Sequence, residues 1–153
     1  MIEGFDRVSE EQFVILKDAI AWITILIAGA DGDIAKEETA WAEKLTKIRS
    51  YANPNSLTPF YKEVGVDFQD RLHNILDALP IGKKKREEIL TANLTQVNDA
   101  IKLLDSELAS ELYKSYLSFA KHVAKQSGGF LGFFNIDKDE ETLMDLSMIN
   151  PII

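Results

Sequence analysis

The stretch "AIAWITILIAGA", residues 19–30, decides the fold. Thr24 is its only polar residue, and a helix that is apolar on every side belongs at the centre of a protein. A bilayer crossing needs on the order of 20 apolar residues, so this run is too short to span one and reads as a buried core helix. The chain is therefore not expected to be an integral membrane protein. Just upstream, Ser9-Glu10-Glu11-Gln12 has the form of a capping box and sets the start of that helix, which should run to about Gly29.

The same period recurs outward from this element. Trp41, Leu45, Ile48 and Ala52 keep helical spacing until Asn53-Pro54 interrupts it. Thr58 before Pro59 predicts a short helix through Phe60 and Tyr61 that Gly65 ends. Asp67 is expected to cap a helix carrying Phe68, Leu72, Ile75, Leu76 and Leu79 inward, broken by Pro80-Ile81-Gly82. Leu90, Leu94, Val97, Ile101 and Leu104 mark one amphipathic helix. Leu112, Tyr116, Ala120 and Val123 mark the next, capped by Asp105 or Ser106 and ended at Ser127-Gly128-Gly129. A last helix is expected through Leu143, Leu146 and Ile149. No segment sustains a period of two, so the expectation is an all-α bundle of six or seven helices, with Trp22 and Trp41 in its core.

At 153 residues and 46% apolar composition, residues 1–153 should form a single domain with one sizeable core. The absence of cysteine excludes disulfides and thiolate chemistry and fits a reducing compartment. The first six residues lack the basic and apolar pattern of a secretory signal, so a cytoplasmic location is expected. With 25 acidic and 17 basic side chains the formal charge is −8, which repels phosphate backbones and argues against a nucleic-acid partner. Lys83-Lys84-Lys85-Arg86 is the exception, read as a solvated helix face diluted by Glu87 and Glu88.

The apolar helix runs into "GADGDIAKEE", residues 29–38. Ile34-Ala35-Lys36-Glu37-Glu38 is echoed by Ile136-Asp137-Lys138-Asp139-Glu140, each copy following an apolar helix and a glycine-bearing loop. The echo suggests pseudo-symmetric halves whose two turns lie near each other. In this layout the chain resembles the TerB-like family associated with tellurite resistance, most specifically over Ala30–Glu38. The resemblance implies an all-helical bundle acting as a cytoplasmic stress-response component. It further implies divalent-cation binding through clustered acids, here Asp31, Asp33, Glu37 and Glu38, and work with membrane-protein partners. Ala35 departs from the capping Ser or Thr expected there, and Phe133-Phe134-Asn135 replaces the Asp-Gly of a second acidic turn.

Two readings of the acids stay open. Ile27 and Gly29 would occupy the first ligand positions of an EF-hand and carry no side-chain oxygen, so an EF-hand proper is excluded. Asp31, Asp33 and Glu38 could still gather around calcium, magnesium, manganese or zinc, with water or a distant acid such as Asp18 completing the shell. Alternatively, Asp31-Gly32 makes a turn while Asp33, Glu37 and Glu38 stabilise a helix N-terminus. "SGGFLGFF", residues 127–134, offers a rival function: Phe130, Leu131, Phe133 and Phe134 would dock a protein or membrane partner, making the chain an adaptor at the membrane periphery. His73 and His122 receive no role, and no nucleophile elbow or phosphate loop is present, so a non-catalytic protein is expected.

Overall fold

The structure, a computed structural model, describes residues 2–30, 34, 36–52, 54–127 and 143–152. Seven helical segments follow one another: α1 (Glu10–Ala28), α2 (Lys36–Arg49), α3 (Thr58–Val66), α4 (Phe68–Ala78), α5 (Lys83–Thr95), α6 (Val97–Ile101) and α7 (Ser106–Ser127). Gln96 alone separates α5 from α6, so the count is six if the pair is taken as one interrupted helix. No strand occurs among the described residues, and the all-α bundle read from the sequence is the fold observed.

Helix α1 is the axis. It begins at a reciprocal cap, the Gln12 amide donating to Ser9 Oγ at 3.1 Å and the Ser9 amide to Gln12 Oε1 at 2.9 Å. Every residue from Asp18 to Ala28 is buried, and α1 touches each of the other six segments. Thr24 is tolerated in this apolar setting because its hydroxyl donates to the Ile20 carbonyl one turn back, at 2.8 Å. Asp18 is tolerated because Arg71 of α4 meets it side-on, Nε to Oδ1 at 3.1 Å and Nη2 to Oδ2.

At its far end α1 has no basic residue in its last turn, and the α5 side chain Arg86 supplies one from outside. The guanidinium is buried and donates to the Gly29 carbonyl at 3.0 Å, placing a cation on the negative end of the α1 dipole. Lys84 and Lys85 are exposed as the sequence suggests. Arg86 is the correction: it is 7% exposed and part of the core, because the end of α1 needs a donor that its own turn does not carry.

Three other expectations change. Asp67 stands at the start of α4, but its side chain makes no capping bond. The Leu90–Leu104 stripe is buried throughout, yet its helix breaks at Gln96 so that two short segments can follow the surface of α1. Leu143 has helical backbone, but the segment after it, 144–152, is turns and irregular chain instead of a continued helix. Leu146 and Ile149 are buried, and Asn98 clasps the segment, its Nδ2 donating to the Met148 carbonyl at 2.9 Å and its Oδ1 accepting from the Asn150 amide at 2.7 Å. The two turns of the pseudo-symmetry expectation, 31–33 and 128–142, lie outside the described residues.

Candidate functional site

The predicted site residues are placed as follows. Asp31 and Asp33, and the docking set Phe130, Leu131, Phe133 and Phe134, lie outside the described residues. Glu37 and Glu38 open α2, Glu37 exposed and Glu38 only 5% exposed, so the neighbouring carboxylates point to different surroundings. Asp18, offered as a distant ligand, is engaged by Arg71 instead. Among the described residues no three His, Asp or Glu side chains stand close enough to hold a metal ion.

A different site is built where α2, α3 and α7 meet. An aromatic cluster sets its base: Phe5 stacks on Phe60 at 5.4 Å between ring centroids, and Phe60 meets Tyr61 edge-on at 5.4 Å. That packing fixes α3 with the Tyr61 hydroxyl turned towards α2 and α7. Arg49, the last residue of α2, reaches across to it. Nη1 donates to the Tyr61 hydroxyl at 2.8 Å, to Ser115 Oγ at 2.9 Å and to the Ser115 carbonyl at 3.1 Å; Nη2 donates to Ser118 Oγ at 2.9 Å. The guanidinium carbon lies 5.2 Å from the ring centroids of both Tyr61 and Phe119, so aromatic faces also hold the cation. Tyr61 and Ser115 hydroxyls bond each other, closing the cluster.

This cluster lines a groove of about 750 Å³. Its apolar wall is Trp41, Leu45, Ile48, Ala52 and Leu57, and its polar wall is α7, with Glu111, Lys114, Ser115, Ser118 and His122. The Trp41-Leu45-Ile48-Ala52 stripe, which periodicity assigns to the core, is thus only partly covered. Leu45 is buried, while Trp41, Ile48 and Ala52 are half-buried and border the groove. Trp22, by contrast, is buried in α1 as expected.

The electrostatics are one-sided at this end. Among the described residues, neither Arg49 nor Lys114 has a carboxylate at ion-pair distance. Glu111 is turned to the Ser56 hydroxyl, which donates to it. Desolvation pushes the His122 imidazole below its ordinary value, helped by the positive charges of Arg49 and Lys125. Of the five guanidinium hydrogens of Arg49, the one on Nε and a second on Nη2 find no acceptor among the described residues. Guanidinium N–H groups left over in this way are the donors that a carboxylate or phosphate oxygen engages.

Sequence reading missed this site because its parts are ordinary in isolation: a basic residue closing a helix, two serines on an amphipathic helix, a tyrosine after Pro59-Phe60. One signal was available. Glu107, Glu111, Ser115, Ser118 and His122 repeat at intervals of four, four, three and four, a polar stripe along one face of α7. Compared with family models, with curated proteins and with solved structures, the chain gave no match, so the functional reading rests on this geometry.

Proposed function

We propose that this protein is a non-catalytic binding module whose groove between α2, α3 and α7 takes an anionic group on Arg49. One observation carries the reading: a guanidinium at the floor of a groove, braced by three hydroxyls and two aromatic rings, without a carboxylate partner among the described residues. The groove volume falls within the range of about 300–1,000 Å³ typical of ligand pockets, and its apolar wall favours an anion with an apolar body over a bare ion. Binding is favoured over nucleophilic catalysis because His122 makes no hydrogen bond to Ser115 or Ser118, so neither hydroxyl has a base in place. Titration of butyrate into isotope-labelled protein tests this. The Arg49 Nε–H resonance and the amides of residues 115 and 118 should shift saturably, and Lys114→Glu should weaken the effect. Unsaturable shifts spread over the surface would overturn the reading.

A second reading keeps the acidic turn and the TerB-like resemblance: a cytoplasmic stress-response component that binds a divalent cation through Asp31, Asp33 and Glu38 and acts with a membrane-protein partner. What favours it is the run of acids Asp31, Asp33, Glu37 and Glu38 within eight residues of sequence, more carboxylates than a helix N-terminus requires. Calorimetry with calcium, manganese and zinc decides it. Saturable heat that disappears in Asp31→Asn supports the cation; its persistence in that variant counts against the site.

A further inference from the structure

Next to the basic groove lies a second one of about 490 Å³, lined in part by Glu3, Asp105, Glu107 and Glu111. Asn55 and Glu111 border both, so the two meet at that pair. The polar stripe of α7 runs through both, acidic at Glu107 and Glu111, with Arg49 seated on Ser115 and Ser118 further along and Lys114 lining the same groove. The molecule therefore carries a trough with a negative and a positive end. In a chain of formal charge −8 the negative end is unexceptional, but the Arg49 end is not.

We infer that the trough takes the carboxyl-terminal segment of another polypeptide, its terminal carboxylate on Arg49 and a Lys or Arg side chain two to five positions upstream over Glu111 and Glu107. The inference rests on Arg49 being an anion site and adds which anion bears it. Spacing and charge argue for this occupant. Along α7 the rise is about 1.5 Å per residue, which puts Glu111 roughly 6 Å from Ser115 and Glu107 roughly 16 Å from Ser118. An extended chain advances about 3.3 Å per residue, so that interval corresponds to roughly two to five residues. A small anion would fill only the Arg49 end. A nucleic acid or phosphorylated segment would bring further negative charge over four carboxylates. The apolar wall of Trp41, Ile48 and Leu57 suits an apolar last residue.

The test uses acetylated five-residue peptides on the full chain, read by calorimetry: Ala-Lys-Ala-Leu-Phe with a free carboxylate, the same peptide as its amide, and the free acid with Glu in place of Lys. The Lys free acid should bind about tenfold more tightly than either of the others. Glu107→Lys, at an exposed position, should reverse the preference between the Lys and Glu peptides. Equal affinity of the Lys and Glu free acids, with the amide weaker, would overturn the peptide assignment and leave the anion site standing. If the amide binds as well as the acid, or no peptide binds while butyrate still shifts Arg49, the assignment also fails. Loss of the butyrate response as well would remove the underlying site.

Discussion

Gly29 is fixed by its neighbours more than by its own backbone. Its amide donates to the Ile25 carbonyl at 2.9 Å, its carbonyl accepts from Arg86, and a Cβ placed on it would stand 2.6 Å from Arg86 Nη2. Its φ of −89° is open to any residue, so side-chain space and not conformation demands glycine here. Gly29→Ala is expected to destabilise the protein by pushing the guanidinium off its carbonyl, and Arg86→Met by removing it, each by on the order of 2 kcal/mol. Because both changes break one contact, the double variant should cost less than the two singles added, by about 1 kcal/mol in denaturant titrations. Simple additivity would mean that the two residues act separately.

Elements were legible where a residue's pattern and its burial agree. The capping box at Ser9 and the apolar run of α1 determine that helix locally, and the structure adds only its partners. The Leu90–Leu104 stripe was legible as buried but not as broken at Gln96, since the break follows the surface of α1 and leaves the period intact. Arg86 and Arg49 could not be placed from sequence, because the groups they serve, the Gly29 carbonyl and the Ser115 and Ser118 hydroxyls, lie 57, 66 and 69 positions away. The segment through Leu143, Leu146 and Ile149 shows the converse. Its apolar spacing is helical, yet Leu146 takes φ +45°, a left-handed conformation outside any right-handed helix. Asn98 holds those turns by its two side-chain bonds to Met148 and Asn150. Asn98→Ala should therefore release them. Hydrogen exchange at the Asn150 amide should rise by about tenfold or more, with α1 exchange little changed. Unaltered protection at Asn150 would show that burial of Leu146 and Ile149 holds the segment without the clasp.

For the molecule as a whole, acidification should act on stability and on ligand binding with opposite signs, and His122 makes the two separable. Its surroundings include Arg49 from α2 and Lys114 and Lys125 on α7, with Glu111 the acid along the same groove. The folded protein holds the imidazole below 6.5, so the unfolded chain takes up its proton first as pH falls. The unfolded state then binds more protons, and this group's contribution makes stability decline from about pH 7 down through the folded value, after which it levels. A bound carboxylate changes the balance, because it compensates the charge that a protonated His122 would add beside Arg49. Peptide affinity should accordingly rise by roughly threefold to tenfold between pH 7.5 and 5.5, a window in which a peptide carboxylate stays ionised. His122→Gln should flatten that rise while leaving affinity at pH 7.5 little altered, since the wild-type ring is neutral there. Calorimetry of both proteins at the two pH values measures it. An affinity that climbs equally in the variant would place the proton elsewhere.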